Sequence, residues 1–137
     1  MDFSFRHINR AKYPQKHILI CEDDLNCQKD IINHFRDIFE PQGLVQFSMV
    51  PGALAAACLI TQCRIDLVIL DHDMPEGNGT DLLNWMKNKN VTTPVITFSG
   101  LQQNNHNMKS LGAHHLFNKS QVIAGDADKL IKEILGL

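Results

Sequence analysis

Short, almost continuously apolar runs alternate along the chain with stretches where apolar residues recur every three or four positions. The runs at 17–21 (HILIC), 44–49 (LVQFSM), 66–70 (DLVIL), 94–98 (PVITF) and 115–118 (HLFN) predict five strands. Helical spacing follows each run. Ile31, Ile32, Phe35, Ile38 and Phe39 make one face of a first helix, with Asp24 placed to cap it and Pro41 and Gly43 to end it. The second helix, 52–62, is small and apolar, with Leu54, Ala57 and Cys58 expected to face inward. The third, 80–89, presents Leu82, Leu83 and Met86. The fourth, 103–111, is polar, with only Met108 and Leu111 as anchors. The fifth runs from 126 to the end, with Leu130, Ile131, Ile134 and Leu135 in register.

Strands that are apolar throughout suit a parallel sheet buried on both faces. Right-handed helical crossovers between such strands give an α/β doubly wound five-stranded parallel sheet. Residues 1–16 precede the first strand and read as an N-terminal arm, leaving 17–137 as one domain. A chain of 137 residues agrees with that count. No apolar run is long enough to span a membrane, and the N-terminus lacks the apolar centre of a signal peptide. These features predict a cytoplasmic protein. Its four cysteines form no C-x-x-C pair and read as buried or half-buried thiols. A net charge of −2 leaves no basic footprint for nucleic acid.

The placement of the acids changes that mild picture. In an open α/β sheet, ligands bind beyond the carboxyl ends of the strands. Glu22, Asp23 and Asp24 follow the first strand, and Asp71 and Asp73 follow the third. Ser99 and Gly100 follow the fourth, and Lys119 follows the fifth. Two carboxylates about 4 Å apart repel by about 4 kcal/mol at an effective dielectric near 20. Such a pocket calls for a hard, oxygen-preferring cation such as Mg²⁺, or for raised pKa values. A carboxylate nucleophile can accept a phosphoryl group, with a cation, a lysine and a hydroxyl stabilising its oxygens.

The segments ILICEDD (18–24), LVILDHDMPEGNG (67–79), PVITFSG (94–100) and LGAHHLFNK (111–119), in this order, resemble the receiver domain of bacterial two-component response regulators. The likeness covers about 16–137 and is chemotaxis-receiver-like. It implies a flavodoxin-like (βα)5 three-layer sandwich. It makes Asp71 the phosphoacceptor, Ser99 the switch hydroxyl and Lys119 the phosphoryl-contacting lysine. Glu22, Asp23, Asp71 and the backbone carbonyl of Asp73 become the Mg²⁺ ligands. It implies phosphoryl transfer from a histidine kinase or phosphotransfer protein, with no enzymatic turnover of other substrates. A downstream protein or output domain is the implied reader, and a homodimer through the fourth helix, fifth strand and fifth helix is the implied assembly. With Leu137 directly after the last helix, the chain reads either as a stand-alone receiver or as the N-terminal part of a longer regulator.

Three departures stand out. Ser120 occupies the place where the family has proline, often in a cis bond. Because a cis bond before a non-proline residue costs about 2.5–4 kcal/mol, a trans Lys119–Ser120 bond and a rearranged loop are expected. Leu116 replaces the usual aromatic switch, and Phe117 should face the other side of the sheet. Asp73 adds a carboxylate two residues after the nucleophile, expected at the pocket mouth, where it would modulate the acyl-phosphate lifetime.

Other constellations occur along the chain. LVILDHDMP also fits the hhhhDxD motif of haloacid dehalogenase-like phosphatases, but follows the third strand and lacks a cap insertion. His72 between Asp71 and Asp73 suggests a metal phosphohydrolase, whose remaining ligands are missing. His114 and His115, adjacent on a strand, should face opposite sides, and His34 lies in an ordinary amphipathic helix. A degenerate receiver acting only as an interaction module is countered by the complete set Glu22, Asp23, Asp71, Ser99 and Lys119.

Overall fold

The structure, a computed structural model, describes residues 15–39, 43–71, 74, 79–99 and 115–137. Among the described residues the elements in chain order are β1 (Lys16–Cys21), α1 (Leu25–Phe39), β2 (Val45–Val50), α2 (Ala53–Gln62), β3 (Leu67–Asp71), α3 (Gly79–Asn88), β4 (Val95–Ser99), β5 (His115–Asn118), α4 (Lys119–Ala124) and α5 (Asp128–Leu135). All pairings are parallel, in the order β2-β1-β3-β4-β5. The order reverses between β1 and β3, so a crevice opens beyond the carboxyl ends of these two central strands.

Alternation along the strands splits the core into two layers. Ile18, Ile20, Leu67, Ile69, Ile96 and Phe98 pack with Ile31, Phe35 and Phe39 of α1 and Ile131 and Leu135 of α5. Leu19, Cys21, Val68, Leu70 and Val95 pack with Ala53 and Ala56 of α2 and Leu82, Leu83 and Met86 of α3. The expected faces of the first, third and last helices are therefore the buried ones.

The second helix departs from expectation. Ala53 and Ala56 are buried, while Leu54 is 73% exposed and Cys58 is exposed. Small side chains let α2 lie close to the sheet, and an almost uniformly apolar helix carries no phase in its pattern. Cys63 is exposed as well, so only Cys21 and Cys27 fit the expectation of buried or half-buried thiols.

The C-terminal region departs too. The last helix begins at Asp128 rather than 126, and an additional short helix, α4, starts directly at Lys119. Asn118 caps it in a reciprocal box: its side chain accepts from Gln121 N, and the Gln121 side chain accepts from Asn118 N. Gly125, at φ 94°, ends it in the left-handed region. No cis peptide bond occurs among the described residues, so Lys119–Ser120 is trans as expected. Lys16 belongs to β1, pairing with Val45, one residue before the expected strand start. The expected fourth helix, 103–111, and residues 1–14 of the expected arm lie outside the described residues, as do His72 and His114.

Candidate functional site: an acidic pocket at the ends of β1 and β3

β1 and β3 are neighbours, with Cys21 opposite Leu70. The residues that end them therefore meet. Asp71 is the last residue of β3, and Glu22 follows β1 directly. Both are 0% exposed, whereas Asp23 is half-buried. One carboxylate oxygen from each of Glu22, Asp23 and Asp71 lies within 4.8 Å of the others.

Backbone and side-chain bonds fix this corner. Glu22 N donates to Val50 O (3.0 Å), and Glu22 Oε1 accepts from Asp24 N (3.0 Å). The Gln28 side-chain amide donates to the Glu22 carbonyl. Asp24 turns away from the pocket to cap α1: its Oδ1 accepts from Asn26 N (2.8 Å) and Cys27 N (3.1 Å). Of the five acids expected on this rim, Asp24 thus serves the helix, and Asp73 lies outside the described residues.

Lys119 reaches in from the far side. It follows β5, whose Asn118 is opposite Ser99 at the end of β4. Its Nζ stands 3.3 Å from Glu22 Oε2 and 3.5 Å from Asp71 Oδ2. Glu22 Oε2 makes no hydrogen bond and has this ammonium as its counter-charge. Partial burial lowers the Lys119 pKa, but Asp71 and Glu22 outweigh it and hold the ammonium above its ordinary value. Ser99 is placed by its backbone at the end of β4, on the same edge.

Sequence reasoning left Cys27 out of this pocket. It lies in the first turn of α1, and burial together with the Glu22 charge pushes its thiol up to about 12. Burial also raises Cys21, with Asp71 adding to the effect. The available signal was the Asp24 cap, which fixes the helix phase and turns position 27 back over the strand ends. His34 is structural: its Nε2 lies 2.8 and 3.0 Å from the Asp128 carboxylate oxygens, tying α1 to α5.

The donors are all hard oxygens, and Lys119 pairs with two of the three acids, Glu22 and Asp71, both without solvent exposure. That set fits a small divalent cation better than a soft metal. A buried carboxylate at a strand end, with two more acids and a lysine beside it, forms an acidic pocket at the open end of a parallel α/β sheet. The response regulator receiver domain model matches residues 18–134, and the chain belongs to that family, the receivers of two-component signalling.

Among curated proteins, the chain is 32% identical over 90 residues to a protein-glutamate methylesterase/protein-glutamine glutaminase of Trichodesmium erythraeum, covering 66% of this chain and 25% of that one. It is 30% identical over 95 residues to the response regulator SaeR of Staphylococcus aureus, covering 69% and 39%. The matches thus take in well under half of these relatives' length. Among solved structures, the receiver domain of Francisella response regulator 1452 aligns with a TM-score of 0.68 at 26% identity, covering 88% of this chain and 93% of that one. The receiver domain of the Pseudomonas aeruginosa sensor histidine kinase PA1611, with a magnesium ion coordinated in its active site cleft, aligns at 0.76 and 18% identity, covering 90% and 99%. Family membership decides the choice between a receiver and the haloacid dehalogenase-like fold. No described helix is long and apolar enough to cross a membrane.

Proposed function

We propose that the chain is a phosphorylatable switch that takes a phosphoryl group onto Asp71. The observation that carries this reading is the pairing of fully buried Asp71 with Lys119 beside Glu22 and Asp23. The donor is a phosphohistidine on a histidine kinase or phosphotransfer protein. An Asp71 oxygen attacks the phosphorus in line, the P–N bond breaks, and the imidazole leaves with its electron pair and takes up a proton. Glu22, Asp23, Asp71 and the Asp73 carbonyl would hold Mg²⁺, which supplies charge neutralisation for the phosphoryl oxygens.

The remaining chemistry belongs to the chain. Asp23 and Glu22 bind the cation and orient Asp71. Lys119, already between Glu22 and Asp71, pairs with the added negative charge. The Ser99 hydroxyl donates to a phosphoryl oxygen. That new contact favours one conformation of the β4 end and the segment after it, shifting a population rather than creating a state. With no turnover of other substrates, the domain acts as a cytoplasmic signalling module read by a downstream protein or output domain. Its homodimer forms through the expected fourth helix, β5 and α5.

Intact-mass analysis after acetyl phosphate and Mg²⁺ tests this reading. One phosphoryl group per chain is expected, none without Mg²⁺, and no turnover of p-nitrophenyl phosphate. An unlabelled chain makes it a degenerate receiver; sustained turnover makes it a phosphatase.

A further inference from the structure

β2 is the outermost strand on its side of the sheet among the described residues. The bonds Lys16 N to Leu44 O and Glu22 N to Val50 O fix which of its residues face β1: the even-numbered ones. The backbone N–H and C=O groups of Val45, Phe47 and Met49 therefore point outward, to the open edge. Edge strands are ordinarily blunted by shortness, proline or charge. β2 is six residues long, VQFSMV, and no Asp, Glu, Lys or Arg occurs anywhere from 41 to 63. The opposite edge, β5, has only four residues.

A groove of about 400 Å³ runs along this edge between α1 and β2. Lys29, Ile32 and Arg36 form one wall, and Phe47, Ser48 and Met49 the other. Phe47 and Met49 are half-buried, and Phe47 stacks on Phe35 with ring centroids 6.1 Å apart. Lys29 and Arg36 are exposed, and no lining residue is acidic. The groove thus has an apolar floor, a cation towards each end and a row of outward-facing backbone groups beside it.

The geometry points to an interaction surface for an extended acidic peptide of a partner protein, added to β2 as a sixth strand. Main-chain bonds to Val45, Phe47 and Met49 would supply the pairing, and alternate side chains would fall over the groove. Lys29 and Arg36 are seven residues apart, about 10.5 Å along the helix. Side chains four residues apart on a strand are spaced about 13 Å. The fitting pattern is therefore acidic–x–apolar–x–acidic, with the apolar residue over Ile32 and the acids within reach of the two long cationic side chains.

Charge argues against the other occupants. Pairing of β2 with β2 of a second copy, through a two-fold axis normal to the sheet, would set both α1 helices on one side with cations facing cations. Residues 1–14 of this chain carry Arg6, Arg10 and Lys12 against Asp2, the wrong sign for this groove.

The test titrates the ¹⁵N-labelled 137-residue chain with a capped nonapeptide. Its centre is Glu-Thr-Val-Thr-Glu flanked by threonines, with a lysine-for-glutamate peptide as control. Amide shifts are expected to centre on Val45, Phe47 and Met49. Lys29→Glu with Arg36→Glu, both exposed sites, is expected to weaken binding by about tenfold, the worth of two surface charge pairs. N-methylation of the peptide amides that face β2 abolishes binding, while methylation of the alternate amides leaves it. Absence of binding, equal binding of the lysine peptide, or shifts centred elsewhere overturns the proposal. Concentration-dependent dimerisation with protection of the β2 amides overturns it too, in favour of a second copy.

Discussion

Asp71→Asn is expected to stabilise the protein when no divalent cation is present. Glu22, Asp23 and Asp71 have oxygens within 4.8 Å of one another. At an effective dielectric near 20, each such pair repels by about 3.5 kcal/mol. Neutralising Asp71 removes two of the three repulsions and forfeits one attraction to Lys119, whose Nζ is 3.5 Å away. That attraction is nearly 5 kcal/mol at the same dielectric, and less in practice because Lys119 is 34% exposed. The balance favours the variant by roughly 2 kcal/mol or more, before counting relief from burying a charge. The ammonium keeps Glu22 Oε2 at 3.3 Å and so retains a counter-charge. Urea unfolding at low ionic strength with a chelator present reads this directly. Mg²⁺ should then narrow the gap, stabilising the wild type by mass action more than the variant. An Asp71→Asn protein less stable than wild type in chelator would refute the electrostatic reasoning.

Other expectations follow from the same geometry. Ellman's reagent at pH 8 should find two fast thiols, Cys58 and Cys63, and four after unfolding; a third fast thiol contradicts the burial of Cys21 or the raised value of Cys27. A Cβ at Gly125 would lie 2.9 Å from Asp128 Oδ2 and 3.3 Å from His34 Cε1, at φ 94°. Gly125→Ala should therefore cost about 1–2 kcal/mol or more in a thermal melt, while an unchanged melt removes the argument. Burial holds His17 below its ordinary value, opposed by Asp66 and the Arg64 backbone. A base with a lowered folded pKa favours the fold above its unfolded value of about 6.5 and loses that contribution as pH falls. The wild type should thus lose stability below about pH 6.5 more steeply than His17→Gln, and parallel curves would count against it.

Strand-end chemistry was legible because it depends on order alone. Parallel strands deliver their final residues to one edge, so Glu22, Asp23, Asp71 and Lys119 could be gathered without coordinates. Phase was legible where large and polar residues alternate, as in α1, with Ile31, Phe35 and Phe39 buried. It was illegible in α2, where nearly every position is small or apolar and backbone approach decides which alanine is covered. The helix α4 is written in the sequence as Asn118-x-x-Gln121, a capping box whose six-residue helix is too short to show an apolar period. Cys27 was missed because its role depends on the helix phase that Asp24 sets.

The central claim is that Asp71, rather than its acidic neighbours, takes the phosphoryl group. Borohydride reduction of the acetyl-phosphate-treated protein, followed by peptide mass mapping, locates the acyl phosphate as the reduced residue. The account predicts homoserine at position 71 and intact Glu22, Asp23 and Asp73. Reduction at any of those three, with Asp71 unmodified, would contradict it.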